Sequence, residues 1–563
     1  MRYISICGLS VCLIGSVYSV TGQVAPDAGA MLREVERGEL PARSEEPAVE
    51  VRTGETGDGA GAESAGPSVT LSGFRFEGNT VLTGGELQAL LASELGKPMR
   101  LAELNALGRK IREAYAERGY LARVVLPEQD LAGGILRMVV QESRLGAIRV
   151  EGIEETRVSE RVVTGTIARG QEEGALLRLD QLQRAAALAA NIPGLKTSVI
   201  LRGGQAVGTT DILVPVEPLS AISGSVSLDN YGADSSGELR ALVSLSVASP
   251  AGMGDQLAVL GLLSEGNRYA GLDYTVPFGY NGWRIGANAS VLDYELVGNF
   301  ADLDGLGDAI VAGVSATFPA IREQDTSLLF SIRLQHRSYY NELRGLETSD
   351  KTVTALTLGA SFARTDRFHL GGRTFFNGRL VAGDLDLSGN AFNALQDSLD
   401  GETAGSYQKF EFTVGRLQRL ADKTTLSLSL NGQLASKNLD SSETISLGGA
   451  NGVRAYPVLE TTGDDGWSGT VEVTRQVLEG LEVRAFYDAG SVNRRSTRRT
   501  DSDTAFIHGA GVGAAYALPE AIRANVSISR RIGDNPDANP IDGTDSDGSL
   551  KEWRVWAGLS KSF

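Results

Sequence analysis

The sequence predicts a transmembrane β-barrel of about sixteen antiparallel strands, preceded by two small β-α-α-β-β modules. Two observations carry this. Across residues 219–563, short alternating segments are separated by gaps that are in turn short and long. Upstream, residues 69–217 run through one order of elements twice, with a period of about 70 residues.

In lipid every backbone N–H and C=O needs an internal partner, so a sheet spans a bilayer only by closing on itself. The two-residue side-chain period then puts apolar residues outward and polar ones inward. The last segment reads this way. Trp553, Val555, Ala557, Leu559 and Phe563 fall on the lipid parity, and Glu552, Arg554, Ser560 and Ser562 on the lumen parity. Pro250–Gly252, Pro277–Asn281, Pro319–Glu323, Glu479–Gly480 and Pro519–Glu520 read as tight periplasmic turns. The strand number is expected to be even, because the modules and the C-terminus lie on one side.

The 563 residues include 69 Gly and only 16 Pro, which suits strands with a small inner face. Mean hydropathy is −0.08. Outside the N-terminus no apolar run approaches the roughly 20 residues of a spanning helix. The net charge of −17 makes nucleic acid a poor partner; it reads as solvated acidic loops.

Residues 1–22 read as a secretory signal, with Arg2 as the positive region and an apolar stretch over 4–20. Both cysteines, Cys7 and Cys12, lie inside it. A processed chain then carries no thiol, which excludes disulfides, thiolate metal sites and cysteine nucleophiles. Residues 23–38 hold a short helix, in which Met31, Leu32 and Val35 share a face. Residues 39–68 are Gly, Glu, Pro, Ala and Ser and read as a flexible linker.

The first module covers residues 69–145. Thr83 and Glu86 make a capping box for its first helix, and Gly119 stops its second. The second module covers residues 146–218, where Glu151-Gly152 repeats Glu77-Gly78. Each module offers an open sheet edge able to accept an extended strand. The barrel covers residues 219–563.

No catalytic constellation and no cofactor motif is present, and the chain is not expected to be an enzyme. His336, His369 and His508 lie on separate segments without metal-ligand spacing. Gly509, Gly511 and Gly513 read as one small-residue face of a strand. Residues 534–548 are Asp-rich but lack the ligand ladder of a calcium loop; they read as the last extracellular loop.

The gap over residues 438–466 is too long for a hairpin. It contains Gly448-Gly449-Ala450-Asn451-Gly452 followed by Val453-Arg454-Ala455-Tyr456. This segment resembles the lumen loop of two-partner secretion transporters (the TpsB, or haemolysin secretion/activation, family), whose tip reads V-R-G-Y. The sequence departs from that pattern at Ala455. The resemblance implies that Arg454 pairs with an inner-wall Asp, which maps onto Asp488 beside Gly490 in Phe486–Gly490. Asp229, Asn230 and Gly232 resemble the family's first hairpin, residues 27–33 its plug helix, and the modules its paired POTRA domains. Phe563 resembles the terminal signal read by the barrel-assembly machinery.

The implied function is an outer-membrane pore that exports a large exoprotein, of adhesin or haemolysin type, from periplasm to cell surface. The implied partners are the exoprotein, held by the POTRA domains, outer-membrane lipid, and the assembly machinery. An outer-membrane protein insertase of the same superfamily is the alternative.

Overall fold

The computed structural model describes residues 25–38, 51–53, 68–323, 325–494 and 503–563. The expected signal segment and most of the expected linker lie outside these residues.

Sixteen antiparallel strands close into one barrel, from Ile222–Asp229 to Trp553–Ser562. First and last strands pair over a short seam, from Ser225 opposite Ser562 to Asp229 opposite Gly558. Side-chain parity sorts the environments. On the last strand Trp553, Val555 and Leu559 are exposed outward, whereas Arg554 and Trp556 are buried inward. Several strands, such as Gly305–Arg322 (18 residues) and Leu346–Asp366 (21 residues), exceed the 9–11 residues a tilted strand needs to cross.

One turn differs from the reading. Pro319 lies inside the strand Gly305–Arg322, at a bulge between Pro319 and Ile321. A proline removes a ladder donor, and a bulge is where a strand tolerates that. The turn itself falls after Arg322.

The first module is the sheet Gly73–Glu77, Ile135–Glu142, Ala122–Val125, covered by the helices Gly84–Leu91 and Leu101–Glu117. The second repeats it, with Arg144–Glu151, Thr209–Pro218 and Val199–Gly203 under Glu160–Ala168 and Leu179–Ala190. Gly78 and Gly152 show why the repeat is visible in sequence. Both have φ near +80° (82° and 83°) at the end of the module's first strand. A Cβ there would lie 2.5 Å from the Val140 carbonyl oxygen in one module and 2.4 Å from that of Val216 in the other. Only glycine fits such a left-handed close approach.

A finding inside the expected linker is the strand Val51–Thr53. It pairs in parallel with Val199, Ile200 and Leu201 and so covers the outer edge of the second module's sheet. That edge, read from the sequence as open, is occupied by the chain itself.

The second module is bolted to the barrel's periplasmic turns. The Arg184 guanidinium donates to the carbonyls of Ala320 (3.0 Å) and Pro319 (2.6 Å), at the bulge between Pro319 and Ile321. The Ser159 N–H donates to the Gly252 carbonyl (2.9 Å), and Ser249 Oγ to that of Pro193 (2.8 Å).

Glu142 anchors the first module. It accepts hydrogen bonds from Thr80 Oγ1, from the Val81 N–H (2.7 Å) and from the Tyr115 hydroxyl (2.8 Å). Burial raises its pKa, but these donors outweigh burial and hold it below the usual carboxylate range. A depressed folded pKa supplies stability above the unfolded value, about 4.3, that disappears as pH falls through the folded value. Hydrogen exchange at the Val81 amide is therefore expected to be slow at neutral pH and to accelerate in acid beyond the intrinsic rate trend. Glu142→Gln should show the fast behaviour at every pH, costing about 1–3 kcal/mol locally. Unaltered protection in that variant would contradict the anchoring role.

Candidate functional site: the filled lumen

The helix Ala28–Gly38 lies inside the barrel. Ala28, Met31, Leu32 and Val35 are buried against lumen-facing residues such as Leu292, Tyr294, Tyr339 and Val353. The apolar face read from helical spacing is the face that packs. Its polar groups meet charged groups of the wall and of the long loop. Asp27 contacts Lys351 Nζ (2.6 Å), which also holds Asp440 (2.9 Å). Glu34 accepts from the Ala233 N–H (3.2 Å) and from Ser236 Oγ (3.3 Å), with Arg240 at 3.9 Å. Arg240 in turn holds Asp229 at 2.9 Å.

The loop between the strands Thr424–Ala435 and Asp465–Leu478 folds inward beside the helix. Its stem carries Glu443, paired with Arg337 (3.0 Å) and Lys409 (2.7 Å). Stem and helix touch at Gly29, where a Cβ would lie 2.6 Å from Ser442 Cβ. Only a residue without a side chain lets the two backbones meet this closely.

At the tip, Arg454 reaches the wall. Its Nε donates to Asp488 Oδ2 and its Nη2 to Asp488 Oδ1, each at 2.8 Å, a two-pronged contact. Its Nη1 donates to Glu472 Oε2 at 2.8 Å, and its guanidinium lies 3.3 Å from the Phe486 ring centre. Asp488 also accepts from the Arg454 N–H (3.2 Å) and from Thr470 Oγ1 (2.9 Å). The Arg454 carbonyl accepts from Ser529 Oγ (2.6 Å) and from Trp556 Nε1 (2.7 Å). Val453, Ala455 and Tyr456 are buried with Leu447 and Ile507.

The glycines of the same stretch of wall make this fit possible. A Cβ at Gly509 would lie 2.4 Å from Ala455 Cβ, and one at Gly511 would lie 2.4 Å from the Phe486 ring. At Gly490 it would lie 3.1 Å from Leu447 Cδ1. The small-residue face is therefore a seat for the loop. Ala455 stays out of the left-handed region, so its methyl is accommodated without backbone strain.

The first hairpin serves the seam. The Asn230 side chain donates to the Val555 carbonyl (2.9 Å) and accepts from the Ala557 N–H (2.8 Å). It thereby extends the first-to-last ladder past Asp229. Gly232 lies where a Cβ would be 2.2 Å from the Gly237 carbonyl oxygen. At the other end of the seam Phe563 exchanges backbone hydrogen bonds with Gly224 at 3.0 and 2.9 Å.

The Asp-rich segment is not simply solvated. Asp545 is fully buried and pairs with Arg531 (2.7 Å) and Arg554 (2.9 Å). Asn535 Nδ2 bridges from Asp545 (2.9 Å) to Glu460 of the inward loop (2.8 Å). The histidines stay apart, and His508 Nδ1 meets the Tyr487 hydroxyl at 2.9 Å. Among the described residues no three His, Cys, Asp or Glu side chains are placed to hold a metal.

Sequence reasoning did not find Glu472, Trp556, Lys351, Asp440 or Glu443. A signal existed for Lys351: a lysine on the lumen parity of a spanning strand requires a partner. The loop carboxylates carried none, because nothing local distinguishes Asp440 from solvated acid.

Comparison with known proteins adds the following. Residues 208–516 match the family model described as haemolysin secretion/activation protein ShlB/FhaC/HecB, and residues 69–143 match the ShlB-type POTRA domain. The heme/hemopexin transporter protein HuxB of Haemophilus influenzae (strain 86-028NP) is 25% identical over 86% of this chain and 85% of its own. The structure of CdiB from Escherichia coli superposes with a TM-score of 0.71 at 21% identity, covering 96% of this chain and all of that one. BamA from Haemophilus ducreyi, lacking POTRA domains 1–3, gives 0.53 at 15% identity over 88% of this chain and all of that one.

Two substitutions address the seat. Arg454→Ala leaves the buried Asp488 and the partly buried Glu472 without their cation, a cost of up to about 3–5 kcal/mol. Gly509→Val pushes a side chain into Ala455. Both are expected to make residues 447–460 cleavable by protease in folded, membrane-inserted protein under conditions that leave the native chain intact. Resistance equal to the native chain in both would contradict a seated loop.

Proposed function

Because the chain belongs to the haemolysin secretion/activation (ShlB/FhaC/HecB) family, we propose that its filled lumen is the resting state of an export pore. It is an outer-membrane transporter of the two-partner secretion type and acts with a secreted exoprotein, its POTRA domains lying in the periplasm. The observation that carries the reading is the filling itself. A sixteen-strand barrel leaves a channel unless something occupies it, and here a helix and a loop from the same chain occupy it.

In this reading the exoprotein arrives unfolded and adds an extended segment to a POTRA sheet. The edge of Ala122–Val125 in the first domain supports that role, since its only strand partner among the described residues is Ile135–Glu142. The equivalent edge of the second domain is shielded by Val51–Thr53. The helix then leaves the lumen and the exoprotein passes outward as an extended chain. Folding outside supplies the direction. Arg454, held by Asp488 and Glu472, keeps the conducting shape of the wall, and Phe563 marks the strand for the assembly machinery. An exoprotein of adhesin or haemolysin type is the cargo this reading implies.

The short seam between first and last strands favours a second reading, an insertase that opens there to client barrels. The clamp made by Asn230 and the backbone exchange at Phe563 weigh against it.

The test is a paired proteome of culture supernatant and outer membrane from cells with and without the chain. Loss of one large protein from the supernatant, with other barrels unchanged, is the expected result, and Arg454→Ala should reproduce it with the transporter still inserted. A general fall in outer-membrane barrels with no exoprotein missing would establish the insertase instead.

A further inference from the structure

From the level of the helix towards the periplasm, the lumen wall changes character. Arg333, Arg373, Arg379, Arg419 and Arg484 lie on the lumen parity of their strands, the parity of Tyr339, Val381, Lys409 and Phe486. Most of their register neighbours are small, the exceptions being Leu417 beside Arg373 and Glu411 beside Arg379. Arg333 stands opposite Ser315 and Thr357, Arg373 opposite Thr365, Arg379 opposite Gly359, Arg419 opposite Thr425, and Arg484 opposite Gly513. Arg333, Arg379 and Arg419 are exposed. Arg373 and Arg379 are six residues apart on one strand, about 20 Å along the wall.

Carboxylates on this wall do not balance them. Glu411 is shared between Arg379 (2.8 Å) and Lys409 (2.9 Å). Glu482 is bridged by Arg523 at 2.9 Å. Asp273 faces both Arg333 and Arg284. The excess of positive charge stands against a chain whose net charge is −17, so it does not follow from overall composition.

We propose that this arginine wall binds carboxylate side chains of the polypeptide in transit, so that the pore favours exported segments that are acidic. A guanidinium presents parallel donors that match a carboxylate. A narrow, low-dielectric passage focuses the field of fixed charges. Because these arginines are hydrated, each contact is weak and readily released, which suits a chain that must keep moving. The spacing along the wall lets one carboxylate hand over to the next arginine. The proposal rests on the export reading, but binding of peptides to the purified chain can be measured whether or not export occurs.

The experiment uses the full chain in neutral detergent and fluorescent oligo-glutamate and oligo-lysine peptides. Oligo-glutamate is expected to bind roughly tenfold or more tightly than oligo-lysine, with affinity falling as salt rises. The triple variant Arg333→Gln, Arg373→Gln, Arg419→Gln should lose that preference, and the corresponding Arg→Lys triple should keep it, which separates charge from misfolding. A control triple at exposed POTRA arginines, Arg109→Gln, Arg161→Gln, Arg202→Gln, should keep it too. No binding of oligo-glutamate, equal binding of both peptides, or loss in the control triple rather than the lumen triple would overturn the proposal while leaving the export assay standing.

Discussion

Backbone hydrogen bonding in lipid is the constraint on which the rest depends. An unpaired peptide group costs several kcal/mol in hydrocarbon, so the sheet closes, and Ser225–Asp229 meets Gly558–Ser562 although that seam is short. Closure of sixteen strands creates a lumen, and the lumen must be reconciled with a sealed membrane. The chain does so by turning its own helix and loop inward. Each polar group carried inside then needs a partner, which explains the density of ion pairs around Lys351, Glu443 and Arg454.

The partners are arranged so that the filling can come apart. Lys351 holds Asp27 of the helix, but it also holds Asp440 of the loop. Arg240 lies near Glu34, but its closer partner is Asp229 on the neighbouring strand. Were the helix to depart, as proposed, both wall cations would keep a carboxylate and no buried charge would be stranded, the event that makes breaking a buried pair expensive. Arg454 is different, because both its carboxylates are on the wall and its carbonyl is held by Ser529 and Trp556. The helix is thus the readily released part and the loop tip the fixed one.

Much of this was legible in the sequence where the physics is local. Alternation along residues 553–563 separates lipid from lumen because a strand has a two-residue period. Gly78 and Gly152 expose the repeat because only glycine tolerates their geometry. The spacing of Met31, Leu32 and Val35 marks the buried face of the helix. What was not legible depends on distance in the chain. Glu472 joins Arg454 only through strand register. Val51–Thr53 becomes a strand only because Val199–Leu201 offers an edge. Pro319, a turn signal by composition, stays in its strand because a bulge tolerates its missing N–H, while Arg184 donates to its carbonyl.

The central claim is that the helix and the loop stem must part before anything passes. The most direct measurement is a reversible cross-link between them. Cys7 and Cys12 are the only native cysteines, so Asp27→Cys with Ser441→Cys, whose native side chains meet at 2.7 Å between the start of the helix and the loop stem, introduces one new pair. The account predicts that export of the partner exoprotein stops when the pair is oxidised and returns on reduction, with each single variant tested alongside. Undiminished export from transporter shown to be cross-linked would contradict it.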